Sequence, residues 1–207
     1  MIERREKNRD GLEKAGQGGS RLAEIAAAVE AQRYPPVDRW APAHTQDIDI
    51  RIGRDGTWYY MGSPIGRPAM VRLFSSVLKR EGEDFYLVTP VEKLRIQVED
   101  APYLAVEMTS EGKGRDRVIA FRTQTGEHVI ADAEHPIRVM CNPETGEPSP
   151  YVLVRDRLEA LIARPVFYDL VEMAETLRED DKALLQVWSA GSAFPLGTIA
   201  ADMTGAS

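Results

Sequence analysis

The chain has 207 residues, 43% hydrophobic and 29% charged, an ordinary globular composition with no apolar run near the ~20 residues that a membrane helix needs. Its 33 Asp and Glu against 26 Lys and Arg leave a net charge of −7, which argues against a general nucleic-acid coat, because phosphate binding needs concentrated positive charge. The single Cys141 excludes an internal disulfide framework, and the opening residues lack the apolar stretch of a secretory signal, so a reducing cytoplasm is the expected compartment.

Residues 1–19 are charged and glycine-rich with little to bury, and are expected to form a disordered arm. Ser20 suits the cap of a helix through Gln32, in which Leu22, Ile25, Ala26 and Val29 recur at helical spacing. Pro35 and Pro36 break it into an extended strap, with Trp40 placed to pin the strap to the core. From Asp47 the period is two: Ile48, Ile50 and Ile52 face one way, Asp47, Asp49 and Arg51 the other, and Asp55-Gly56 signals a hairpin. Pro68 suits the first turn of a helix to about Arg80, with Met70, Leu73, Phe74, Val77 and Leu78 as its apolar stripe. Glu81-Gly82 ends that helix, and strands at 84–88 and 93–98 close a first domain near Asp100.

The second half opens with short strands at 102–108, 117–121, 127–131 and 135–140, separated by turn-forming residues, an antiparallel meander. A strand at 151–155 leads into a helical stretch from Asp156 to about Arg178, kinked at Pro165, and a last strand at 183–188 precedes a polar tail. The expected fold is therefore mixed α+β, with two small domains, 20–100 and 101–207, each a mainly antiparallel sheet with a packed helix. The segment Arg72–Val88 has a faint echo in Arg157–Val171, too weak for a sequence repeat but compatible with an internal structural duplication.

The segments DIDIRI, DGTWYYMGSPIGRPAMVRLFSSVLKRE, DFYLVTPVEK, IQVEDAP, HPIRV and GEPSPYVLVRDRLEALIARPVFYDLVE follow one another between Trp40 and Trp188. In this order they resemble the uncharacterised bacterial family DUF1285. The resemblance implies a two-domain mixed α/β fold with a cleft between the domains, a nucleotide-like ligand and a role in signalling. It brings no agreed catalytic residues.

Among single residues, Arg67 stands between Gly66 and Pro68 at a helix start, where free N–H groups and the helix dipole favour an anion; the plainer account is a surface arginine beside a turn. Arg155, Arg157 and Arg164 surround a second expected helix start and could clamp a phosphate, or simply form a solvated basic face. Tyr168 is a candidate for stacking on a base, as are Trp58, Tyr60, Phe85, Tyr86, Tyr151 and Phe167, although aromatics in strands are usually core. Thr89, Glu92 and Lys93 form a polar corner after a strand, a common place for contacts.

Known catalytic constellations do not emerge. His44, Asp47 and Asp49 are too loosely spaced for a metal, Cys141 with His135 forms no nucleophile signature, and neither GxSxG nor a phosphate-binding loop follows a strand. No metal and no cofactor are expected. The leading reading is a small-molecule binding protein whose interdomain cleft takes an anionic, nucleotide-like ligand, with no membrane partner and with a homodimer left open. An enzyme with an unfamiliar site, and a protein-interaction module using a strand edge or the second helix, stand as alternatives.

Overall fold

The computed structural model describes residues 21–179 and 182–200; the arm expected over 1–19 and its Ser20 cap lie outside them. A first helix, α1, spans 21–31. Its end is tied down by Gln32, whose amide donates to His128 O (2.9 Å) and accepts from His128 N (2.8 Å), so a side chain fills a place on a sheet edge where another strand could otherwise pair. The proline strap follows, and Val37 is its buried anchor, while Trp40 is only partly covered.

The first large sheet comprises β1 (His44–Ile52), β2 (Trp58–Tyr60), β3 (Ser63–Pro64), β4 (Leu78–Glu81), β5 (Asp84–Val88) and β6 (Glu92–Val98), with α2 (Pro68–Ser76) inserted between β3 and β4. Its order is β3-β2-β1-β6-β5-β4, antiparallel except for the central pair β1 and β6. The second comprises β7 (Tyr103–Glu111), β8 (Val118–Thr123), β9 (His128–Ile130), β10 (Ile137–Cys141), β11 (Pro148–Arg155) and β12 (Leu158–Ile162). Its order is β10-β11-β12-β7-β8-β9, again antiparallel except for the central pair β12 and β7.

Numbered within each sheet, both orders read 3-2-1-6-5-4 with the first and sixth strands parallel. The duplication is thus one of topology. The helices break it: α2 follows the third strand of its sheet, whereas α3 (Arg164–Glu172) follows the sixth strand of the other. The faint sequence echo therefore sets α2, β4 and β5 against β12 and α3, which are not equivalent elements. A third sheet, β13 (Glu175–Glu179), β14 (Lys182–Ser189) and β15 (Ser192–Ala200), is an antiparallel meander. Ser189 seats it on the second sheet by donating to Ala131 O (2.6 Å) and accepting from Ile119 N (2.9 Å).

Three elements differ from their expected spans. The helix expected to run to Arg80 ends at Ser76, because Ser75 and Ser76 turn their hydroxyls back onto the carbonyls of Arg72 (3.0 Å) and Leu73 (2.7 Å), a pattern that loosens a helix. Leu78 then pairs with Leu87 and is wholly buried. The stretch expected as one helix from Asp156 to Arg178 is β12, α3 and part of β13: Asp156 takes φ +49 in a tight turn, and Leu158, Ala160, Leu161 and Ile162 are buried on both faces of a central strand. The residues expected as a polar tail after 188 form β15, turned by Ala190 and Gly191.

One continuous apolar core joins the sheets, drawing Ile52, Trp58 and Leu78 from the first and Tyr103, Ile119 and Leu170 from the second sheet and its helix. No helix among the described residues is long and apolar enough to cross a membrane.

Candidate functional site

The seam between the two large sheets holds a cleft, and three connections build it. In the β1–β2 turn, Asp55 accepts hydrogen bonds from the backbone N–H (3.0 Å) and hydroxyl (2.9 Å) of Thr57, which close the turn and hold the Asp55 carboxyl below the usual range. Gln124 seats this turn on the second sheet, its amide nitrogen approaching Gly56 O (3.5 Å) while its oxygen accepts from Leu104 N (2.7 Å). Arg54 then crosses the seam, donating to Ser149 Oγ (2.9 Å) and pairing with Asp100 (3.2 Å). Asp100 also accepts from Tyr151 Oη (2.7 Å), and burial, reinforced by that carboxylate, pushes the Tyr151 phenol up to about 12.

Opposite, α3 begins at Arg164 and Pro165 with no side chain capping its first turn. Arg164 is exposed and pairs with Glu147 of the β10–β11 hairpin. One turn on, Tyr168 is 58% exposed, while Phe167 is buried. The open cleft measures about 860 Å³, with Leu104, Leu161 and Phe167 on its apolar walls and Arg54, Arg164 and Tyr168 on its polar side. Two guanidinium groups beside an exposed aromatic ring and an apolar wall can hold an anion attached to a flat or apolar body. Glu147 already pairs with Arg164 and Asp100 with Arg54, so an anion must compete with these carboxylates for the guanidinium groups.

Of the residues singled out in the sequence, Arg164, Phe167 and Tyr168 meet here. Arg67 lines a separate groove beside α2. Thr89 closes its own turn, accepting from Glu92 N (3.1 Å) and donating to Glu92 O (3.2 Å); Lys93 pairs with Glu81 and lies over the Tyr86 ring (4.0 Å). Arg157 is exposed in the β11–β12 turn. The four arginines do not gather on one surface.

Arg155 is turned inward, because it ends β11 beneath α2. It donates to Ser75 O (2.8 Å) and Tyr103 Oη (3.2 Å) and packs against the Tyr34 ring (4.3 Å). A buried polar cluster forms around it, which the sequence did not announce. Tyr103 Oη donates to Ser75 O (3.2 Å), and Glu127 accepts from Ser75 Oγ (3.0 Å), Thr123 Oγ1 (2.6 Å) and Thr125 Oγ1. Burial pushes the Tyr34 phenol up to about 12, with Glu127 adding to it, and raises Tyr103 as well. The cluster locks the end of α2 to the second sheet, a structural role for Arg155.

Among the described residues, no group of three or more His, Cys, Asp or Glu is arranged to hold a metal ion. Asp47 is bound to Arg95 through both carboxylate oxygens (2.8 and 3.0 Å), and His135 Nδ1 lies 3.1 Å from Asp132.

Residues 35–101 match the N-terminal domain of unknown function DUF1285, and residues 102–196 match the C-terminal domain of the DUF1285 proteins of unknown function. The chain belongs to the DUF1285 family. It is similar to a DUF1285 family protein from Silicibacter pomeroyi, solved at 2.50 Å, with 51% identity, a TM-score of 0.74, and coverage of 84% of this chain and 95% of that one. A DUF1285 family protein from Shewanella baltica, solved at 1.40 Å, is 27% identical over 60% of this chain and 91% of its own, with a TM-score of 0.46. No curated protein matches the chain.

Proposed function

We propose that this DUF1285 protein is a small-molecule binding protein whose seam cleft holds an anionic, nucleotide-like ligand and returns it unchanged. The observation that carries the reading is the cleft itself: about 860 Å³ with Arg54, Arg164 and the exposed Tyr168 around apolar walls, within the ~300–1,000 Å³ usual for small-molecule sites. The guanidinium groups are the anion ligands and Tyr168 the stacking surface. A binder that leaves its ligand intact suits signalling, where occupancy is the output.

A ligand that binds only the folded chain at a hundredfold excess over Kd adds about 2.7 kcal/mol, a rise in Tm of roughly 5–11 °C for a chain of this size. The test is a thermal-shift screen of nucleotides and other phosphate metabolites, repeated with Arg164→Ala and Tyr168→Ala. A shift in the native chain that both variants lose supports the reading. An inert screen, or a shift the variants keep, overturns the cleft assignment, and mass spectrometry showing a consumed ligand moves the protein to the enzyme class.

A further inference from the structure

The stretch from Gly56 to Arg80 contains no Asp or Glu in a chain that carries 33 of them, and it holds Arg67, Arg72, Lys79 and Arg80. It folds as β2, β3, α2 and the start of β4; β3 and β4 are opposite edges of the sheet, so Arg67 and Arg72 on α2 are the cations near the β2–β3 hairpin. Lys79 is engaged by Asp38 and Glu81, and Arg80 by Glu83. Arg67 and Arg72 are exposed and make no ion pair among the described residues.

The corner between that hairpin and α2 is apolar. A groove of about 390 Å³ lies between the β2–β3 hairpin and α2, with Ile48, Ile50, Ile65 and Phe74 along it, Met70 and Arg67 beside them, and no carboxylate in its lining. The apolar surface is wider than the groove: Met61 at the hairpin tip is 68% exposed, and Leu73, one turn beyond Met70, is 62% exposed. Met61 holds φ +48 and Gly62 φ +75, the paired left-handed conformations of a two-residue hairpin turn. Methionines suit a surface that must fit a partner's side chains, because they repack readily.

Width argues for a polypeptide over a small molecule, and charge decides which polypeptide. The groove is lined by Arg67 with no carboxylate, and Arg72 is exposed on the same helix, so the complementary occupant is acidic. We propose that this corner docks an acidic amphipathic segment of another protein, a helix whose apolar side lies on the groove and whose carboxylates meet Arg67 and Arg72. The site is separate from the seam cleft and does not depend on it.

The test uses the full chain and two fluorescein-labelled peptides of about four helical turns. They share leucines at helical spacing and differ only in carrying Glu or Lys at the flanking positions. By anisotropy at low salt, the Glu peptide is expected to saturate and to bind at least about tenfold more tightly than its Lys twin, a gap that narrows as salt screens the charges. The preference reverses in the double variant Arg67→Glu with Arg72→Glu. Met70→Asp, on an exposed position, loses binding of the Glu peptide at an unchanged melting temperature, and Arg164→Ala leaves it intact. Equal binding of the two peptides, or no saturation by the Glu peptide, overturns the proposal. A native dimer in light scattering that Met70→Asp converts to a monomer overturns it too, and assigns the face to a second copy.

Discussion

Replacing Glu127 by Ala removes the acceptor at the centre of the buried cluster. Its carboxylate takes hydrogen bonds from Ser75, Thr123 and Thr125, and bonds to a charged group contribute about 1.5–3 kcal/mol each. Part of that loss is recovered. Ser75 Oγ already lies 3.0 Å from Arg72 O, and the two threonine hydroxyls lie 3.1 Å apart, so the orphaned donors have other acceptors within reach. The expected net loss is about 3 kcal/mol, or roughly 6–12 °C in Tm. Glu127→Gln keeps the shape and one acceptor oxygen and is expected to lose about half as much. Urea unfolding followed by circular dichroism gives the free energies, and a double-mutant cycle with Ser75→Ala isolates the bond across the seam. A Glu127→Ala variant within about 0.5 kcal/mol of the native chain, the range of an ordinary surface change, would refute the assignment of this cluster as the lock between α2 and the second sheet.

Alkaline stability follows from the tyrosines. Burial raises Tyr34 to about 12 in the folded chain, against an ordinary value near 10, so folding retains the proton. The associated stability is present in full below about pH 10 and is lost as pH climbs toward 12. Absorbance at the phenolate band should show buried tyrosines ionising only with unfolding, and Tyr34→Phe should flatten the decline; a Tyr34 that titrates near 10 in the folded chain contradicts this. Backbone geometry supplies a contrast between two glycines with positive φ. At Gly112 an added Cβ would lie 2.5 Å from Asp116 O, whereas at Gly82 it meets nothing within 4 Å. Gly112→Ala is expected to cost about 2–3 kcal/mol and Gly82→Ala only about 1, and equal melting temperatures for the two variants would count against the close approach.

What could be read from the sequence follows how local each signal was. Ile48, Ile50 and Ile52 announced a strand because one face of β1 is covered and the other solvated. β12 carries no such alternation: buried on both faces, its Leu158–Ile162 run imitates a helix. The parallel pairings of β1 with β6 and β7 with β12 leave no local trace at all. The cleft divides in the same way. Arg164 stood out by its charge and Tyr168 as an aromatic, although Pro165 between them was expected to kink a longer helix; Arg54 and Leu104 join them only through the sheet topology. Arg155 looked like a ligand because its charge was visible and its burial at the end of β11 was not.

The central parallel pair of each large sheet has a consequence for how the chain is made. In both units the first strand waits beside an empty place that the last strand must fill, so neither sheet can close until its whole segment has left the ribosome. Such long-range closure is slow compared with hairpin formation. The first unit can close once β6 is synthesised, but Ser75, at the end of its helix, meets Tyr103, Glu127 and Arg155 only after β11 exists. The nascent first sheet therefore carries an unfinished corner until β11 of the second has emerged.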